Sequence, residues 1–335
     1  MTRSFVILPG RGSYTEKSLG SLPKAHPWVA HADRYRAGLD LPPLSELDAA
    51  AKFSSKEHLR PANVSALIYV VSMLDATEAM GRTQAVAVAG NSMGWYTALA
   101  AAGALSFEDG LRLVQEMALL QEQQAADPDG GGGQILYPLV DDEWRDDPVR
   151  RAAVETALTE SGGQAFDSIH LGGYAVLAGT ETGIRTLLKT LPKVTLGGTP
   201  YPFRLMQHGP YHTPLVQSVA DAARARLGEL EFGAPRVTLI DGLGRRFTPW
   251  SSDAQAIADY TFGTQVVAPY DLTASIRVGL REFAPDRVIL PGPGNTLGGV
   301  VAQVAIGERW RGLDSKTAFS ALQKSDEPLV ESMRR

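Results

Sequence analysis

An α/β fold is predicted by two features of this chain. Short apolar strands alternate with helix-length segments through most of its 335 residues, as a mostly parallel sheet covered on both faces requires. One of those strands, Ala85-Val86-Ala87-Val88-Ala89, runs straight into Gly90-Asn91-Ser92-Met93-Gly94 and then into an Ala-rich helical stretch. Strand, Gly-x-Ser-x-Gly and helix in that order make the nucleophile-elbow pattern. Glycines two residues before and after the serine let strand and helix approach where a side chain would collide. The hydroxyl is left exposed at a helix N-terminus, whose unpaired N–H groups favour a developing negative charge.

The elements follow in chain order. Residues 4–8 read as a strand with a Gly-rich turn after it, and Ser13 to Lys56 is irregular, with prolines at 23, 27, 42 and 43. Pro61 suits the first turn of a long helix whose buried face carries Leu67, Val70, Val71 and Leu74. After the elbow, Ser106-Phe107-Glu108-Asp109 caps a helix bearing Leu111, Leu113, Val114, Met117 and Leu120. Asp127–Gly133 is the clearest breaker. Beyond it, strand Ile135–Val140, a helix near 147–160, strand Tyr174–Ala178, a helix near 181–190 and strand Lys193–Leu196 suit a small split β-α-β unit. The chain rejoins the large unit around 205–215. There, strands Val237–Ile240 and Arg287–Leu290 alternate with helices 212–230, 253–261 and 271–283, and Val300–Trp310 closes the unit. The expected class is therefore an α/β-hydrolase-like large domain with a parallel sheet and nucleophile elbow, plus an inserted ferredoxin-like small subdomain. The expected boundaries are 1–132 with 203–312 for the core, 133–202 for the subdomain, and 313–335 for a loosely ordered C-terminal tail.

Composition narrows the function classes. Hydrophobic residues make up 44% and charged residues 21%, the balance of a soluble globular protein. Thirty-two Lys and Arg against 37 Asp and Glu give a net charge of −5, which offers no argument for nucleic acid as a partner. The absence of cysteine excludes disulfides, thiolate chemistry and Cys-ligated metals, and no metal site is expected. Met1-Thr2-Arg3-Ser4 leads into only a short apolar strand, unlike a secretory leader. The uncharged run 85–105 is long enough to span a bilayer by count, but it is rich in Ala and Gly and carries Asn91, Ser92 and Thr97. A cytoplasmic monomer with no membrane partner is the expectation.

Ser92 is the candidate nucleophile, and a serine hydroxyl requires an adjacent general base. Six histidines are available (26, 31, 58, 170, 208 and 212), and position alone does not choose among them. Asp241, just after a strand, is a candidate third member by analogy with α/β hydrolases.

Five stretches together resemble the malonyl-CoA:acyl carrier protein transacylase family. Phe5–Tyr14, with Pro9-Gly10-Arg11-Gly12-Ser13, is similar to its F-P-G-Q-G-S-Q opening, and the elbow to its G-H-S-x-G-E-Y-x-A-L. Gly209–Leu215 resembles its F-H-S/T-x-L-M segment. Gln265–Pro269 with Leu272–Ile276 resembles Q-x-x-x-P-V-x-W-x-x-S-V, and Pro291–Leu297 resembles V-G-P-G-K-x-L. The motifs run in order from residue 5 to about residue 300.

The resemblance implies His212 as the base and the backbone carbonyl of Gln265 as its orienting group, which leaves Asp241 structural. It implies an oxyanion hole from the backbone N–H groups of Arg11 and Met93. Arg11 stands where the family has glutamine, and Arg60 where it has the glutamine of T-Q-P-A. Asn91 replaces the elbow histidine and Trp95 the elbow glutamate, while Ser168 and His170 fall where members carry asparagines. Aligned from Arg112-Leu113-Val114, Met117 takes the place of the arginine that pairs with a malonyl carboxylate. Met117, Arg60 and His170 are the expected acyl-pocket residues.

The implied activity is an acyltransferase carrying an acyl group from an acyl-CoA or acyl-ACP thioester to an acyl carrier protein through an acyl-Ser92 ester. No tightly bound cofactor is implied, only phosphopantetheine thioesters as substrates, in a polyketide or related pathway. A thioether cannot neutralise a carboxylate, so a non-malonyl, neutral acyl group is expected. Two other functions remain open on the same residues: an editing acyl-ACP hydrolase, and a non-catalytic carrier-docking module.

Overall fold

The computed structural model describes residues 1–126 and 131–334. Residues 127–130 of the expected Asp127–Gly133 break lie outside the described residues. Thirteen strands are numbered in chain order: β1 Arg3–Leu8, β2 Gln84–Gly90, β3 Gly133–Pro138, β4 Ala165–Leu171, β5 Tyr174–Gly179, β6 Val194–Leu196, β7 Thr199–Tyr201, β8 Phe203–Arg204, β9 Leu239–Ile240, β10 Arg246–Phe247, β11 Tyr270–Asp271, β12 Arg287–Leu290 and β13 Val330–Ser332.

Six strands form the large sheet in the order β10-β9-β2-β1-β12-β13. All its pairings are parallel except β9 with β10. β1 lies central, with Val6 opposite Val88 on one side and Ile289 on the other. Its residues Phe5 to Leu8 are fully buried, the continuous apolar run expected of a strand covered on both faces. Helix Pro61–Arg82 is long and apolar enough to cross a membrane, and 72% of its apolar window is buried inside the fold. It packs along helix Phe107–Ala126, where the Tyr69 hydroxyl donates to the Phe107 carbonyl at 2.7 Å.

The second sheet has the order β11-β4-β5-β3-β8. With helices Pro148–Glu160 and Glu181–Thr190, its last four strands make the β-α-β-β-α-β ferredoxin-like arrangement around a separate apolar core that includes Ile135, Tyr137, Leu177, Ile184 and Leu187. Three details differ from the sequence expectation. β4 was not expected, because a bulge between Asp167 and Ile169 breaks its alternation. The stretch ending at Leu196 does not complete the sheet. Gly197 and Gly198, with φ of 56° and 82°, turn it into a β6–β7 hairpin, and β8 takes the edge beside β3. Finally, β11 is a two-residue strand that joins the small sheet from a much later part of the chain, with Tyr270 opposite Ile169.

The C-terminal residues are not a loose tail. Helix Lys316–Gln323 precedes β13, which extends the large sheet by pairing Val330 with Val288. Leu329 and Val330 are buried there, and Arg334 pairs with the buried Asp75 at 2.7 Å. Two apolar residues and one cation with a waiting carboxylate fix a segment that is otherwise polar.

The elbow is a very close backbone approach. A Cβ on Gly90 would lie 2.0 Å from the Gly94 carbonyl oxygen, and one on Gly94 would lie 2.4 Å from that of Leu8. Both obstacles are backbone, so neither yields by a rotamer change. Gly94→Ala is therefore expected to lower stability by about 1–3 kcal/mol, the usual cost of overpacking. Urea unfolding checks this, and a wild-type midpoint in the variant would contradict it.

Candidate active site

Ser92 sits at the turn between β2 and helix Gly94–Ala101 with φ of 55°, a left-handed conformation costly for a residue with a side chain. The turn holds because the Asn91 N–H donates to the Leu8 carbonyl at 2.9 Å and the Gly94 N–H donates to the Asn91 carbonyl at 2.8 Å. Ser92 Oγ lies 2.7 Å from His212 Nε2. On the other side of the ring, Nδ1 lies 2.7 Å from the Gln265 carbonyl. A carbonyl only accepts, so Nδ1 carries the proton and Nε2 is left to accept from the serine hydroxyl. His212 also has a positive φ, of 58°, and its N–H donates to the Val266 carbonyl at 3.1 Å.

The side chain of Gln265 ties back to the elbow. Its Nε2 donates to the Ser92 carbonyl at 3.2 Å, and its Oε1 accepts from the Tyr96 hydroxyl at 2.7 Å. Tyr270 closes the set, donating to the Gly90 carbonyl while its ring lies 5.4 Å from the imidazole. Sequence reasoning missed the parts of Tyr96 and Tyr270. The only signal was a tyrosine in the elbow helix and another just past the Gln265 motif.

A cavity of about 30 Å³ lies beside Ser92, lined among others by Arg11, Met93, Met117, Gln121, His212 and Gln265. The structure thus brings together six of the eight residues singled out from sequence: Arg11, Ser92, Met93, Met117, His212 and Gln265. Neither the Arg11 nor the Met93 N–H has a hydrogen-bond acceptor among the described residues. Met117 is buried and forms part of the apolar wall. A larger cleft of about 400 Å³ reaches Ser92 from the side of the small sheet, between Asn91, Leu136, Tyr174, Leu205 and Val300.

The other two residues lie elsewhere. Arg60 does not enter the cavity. It pairs with Glu122 through Nε at 3.1 Å and Nη2 at 2.9 Å, and Glu122 also accepts from the Ala62 N–H. Its charge is met by a carboxylate one helix away. His170 is exposed and faces Asp271, 3.3 Å away, in a cleft with Arg151 and Asp167. The bulge in β4 explains this: it puts Ser168 inward, donating to the Tyr211 carbonyl at 2.8 Å, and turns His170 to the opposite face. Trp95 is buried in the core, with its indole N–H on Thr261. Asp241 is spent on its own turn, accepting from Leu243 and Arg245 and pairing with the Arg245 guanidinium at 2.7 Å.

Burial lowers His212 from the ordinary 6.5 to about 4; the Arg11 cation adds to the shift and the Gln265 carbonyl opposes it. His208, four residues earlier, is lowered to about 3, first by burial and then by Arg11. Two tyrosines of the site, Tyr96 and Tyr270, are pushed up by burial and stay protonated. The imidazole is therefore neutral throughout the physiological range.

No protein-family model matches the chain. It is 25% identical over 327 residues to the malonyl CoA-acyl carrier protein transacylase of Salmonella typhimurium, across 96% of this chain and 99% of that one. An acyl-carrier-protein S-malonyltransferase from Burkholderia pseudomallei 1710b shares its fold, with a TM-score of 0.72 at 24% identity over 91% of this chain and 93% of that chain. So does a malonyl-transacylase solved in complex with its type II PKS acyl-carrier protein, with a TM-score of 0.72 at 21% identity over 91% of this chain and 93% of that chain. The α/β-hydrolase-like architecture with its inserted ferredoxin-like unit, together with these relatives, defines the class: the chain is an acyltransferase. Over nearly its whole length it is similar to malonyl CoA-acyl carrier protein transacylases.

The electrostatics make a direct prediction. The His212 ring resonances are expected to titrate in NMR with a midpoint below pH 5. Arg11→Gln removes a like charge and so moves that midpoint upward. A midpoint near 6.5 in both proteins would contradict the account.

Proposed function

We propose that this protein transfers an acyl group from a phosphopantetheine thioester to an acyl carrier protein, with Ser92 as nucleophile and His212 as general base. The observation that carries this reading is the continuous relay from Ser92 Oγ through the His212 ring to the Gln265 carbonyl, at 2.7 Å on each side. The names of the relatives, which act on malonyl-CoA and acyl carrier protein, supply the substrate class.

The steps follow from the tautomer. Ser92 Oγ attacks the thioester carbonyl while its proton passes to Nε2, and the carbonyl oxygen turns negative between the Arg11 and Met93 N–H groups. The C–S bond breaks, the thiol leaves with the proton from Nε2, and an ester remains on Ser92. A carrier's phosphopantetheine thiol then gives its proton to His212 and takes the acyl group by the same path in reverse. The donor is an acyl-CoA or an acyl-ACP, entering by the larger cleft.

Met117 speaks for a neutral acyl group over malonyl. A malonyl carboxylate lying against Met117 would be buried without the bidentate partner that arginine gives it.

Intact-protein mass after incubation with a panel of acyl-CoAs tests this reading. Acetyl or another neutral group is expected on wild type, and Ser92→Ala is expected to carry no adduct. An adduct that persists in Ser92→Ala would move the nucleophile. His212→Ala is expected to slow acylation and deacylation together by at least about a hundredfold, the ordinary contribution of a general base. Met117→Arg is expected to gain malonyl loading and lose neutral loading, and a wild type that prefers malonyl-CoA would contradict the assignment of Met117.

A further inference from the structure

Arg11 is the anomaly of this site. Its Nη1 is buried with no hydrogen-bond partner among the described residues, and its guanidinium makes no ion pair there. Its contact is with the Tyr211 ring, 4.5 Å below the guanidinium carbon. Two other arginines of the fold are matched. Arg60 has Glu122, and the fully buried Arg36 donates to two carbonyls and to the side chains of Gln115 and Asn63. Stacking on Tyr211 holds the plane of the Arg11 guanidinium through a cation–π contact, which leaves the N–H edge free.

Arg11 also borders the reaction cavity beside Ser92. Arg11 lines it with Ser92, Met93 and His212, and no Asp or Glu lines it among the described residues. With His212 neutral, Arg11 is the one charged side chain on its wall among the described residues. The anion that answers it must come from the substrate or from the reaction. On the acyl-transfer reading above, a neutral acyl group brings no anion into this cavity, and negative charge arises beside Ser92 only on the carbonyl oxygen during attack. We propose that the Arg11 guanidinium is a third arm of the oxyanion site, meeting the thioester oxygen as it turns negative beside the backbone N–H groups of Arg11 and Met93.

The energetics favour such an arrangement for rate over affinity. A neutral thioester carbonyl is a weak acceptor, so in the bound substrate a buried cation keeps most of its desolvation cost. The tetrahedral intermediate removes that cost, so the interaction is strong only when the barrier is being crossed. The same charge opposes a proton on His212 until an oxyanion is present to balance it. Proton transfer to Nε2 is thereby coupled to formation of the Oγ–C bond. Electrons balance within the step: the Oγ lone pair forms the new bond, the carbonyl π pair moves to oxygen, and the Oγ proton moves to Nε2. Collapse returns that pair to the carbonyl and expels the sulfur, which takes the proton from Nε2.

The test is rapid-quench acylation of the full-length protein by acetyl-CoA and by malonyl-CoA, in wild type, Arg11→Gln and Arg11→Lys. For acetyl-CoA, Arg11→Gln is expected to lower kcat about a hundredfold, as loss of one oxyanion donor does, with KM within about threefold. Arg11→Lys is expected to recover part of the loss, because it restores the charge without the planar fork. An unchanged kcat in Arg11→Gln overturns the proposal and leaves the acyl-transfer reading standing. A loss confined to malonyl-CoA and carried in KM also overturns it, and makes Arg11 the seat of a substrate carboxylate. No adduct on wild type with any acyl-CoA or acyl-ACP removes both.

Discussion

Ser92 is held in a left-handed conformation because β2 and helix Gly94–Ala101 meet at a separation that admits no side chain at Gly90 or Gly94. The same contact fixes more than the serine. Gly94 also rests against the Leu8 and Pro9 carbonyls, and the Asn91 N–H reaches the Leu8 carbonyl, so the end of β1 is locked to the elbow. Arg11 lies on the turn directly beyond. Its N–H and that of Met93 therefore lie just past the C-terminal ends of two adjacent parallel strands, β1 and β2, which backbone contacts hold together. The site occupies the edge where α/β sheets bind ligands, outside the carboxyl ends of the strands.

Gln265 performs a second kind of joining. Its backbone carbonyl orients the imidazole, while its side chain holds the Ser92 carbonyl and accepts from Tyr96. One residue thus sets the base against the nucleophile across a gap of 120 residues in sequence. That double use gives glutamine a reason at a position where the orienting atom itself is backbone. A hydrogen-bonded carbonyl in place of a carboxylate also leaves the site without a buried negative charge. The shift of His212 toward its neutral form is consistent with that, since no Asp or Glu lines the cavity among the described residues to hold a proton on the ring.

Legibility from sequence followed the range of the forces involved. The elbow was readable because its cause is local: two glycines, a strand before and a helix after. The ferredoxin-like unit was readable from alternation, although a Gly197–Gly198 turn diverted one strand and a bulge hid another. His212 and Gln265 were reachable only through resemblance, since nothing local brings them to Ser92. Arg60 and His170 were misplaced because their surroundings are set by partners distant in sequence. Glu122 takes the first, and a one-residue bulge turns the second away. The C-terminal strand was missed because its apolar signal is two residues long. The unmatched Nη1 of Arg11 could not be read at all, because an absent partner leaves no mark in sequence.

The proposed function requires that the acyl group on Ser92 leave to a carrier thiol. Single-turnover chase of the isolated acyl-enzyme measures this directly. The enzyme is loaded with radiolabelled acyl-CoA, freed of excess thioester, and mixed with holo acyl carrier protein or with buffer alone. The account predicts that label moves onto the carrier at least about a hundredfold faster than free acid forms in buffer, since water lacks the binding energy that positions the carrier thiol. Release of free acid at one rate with and without carrier would contradict it and identify a hydrolase.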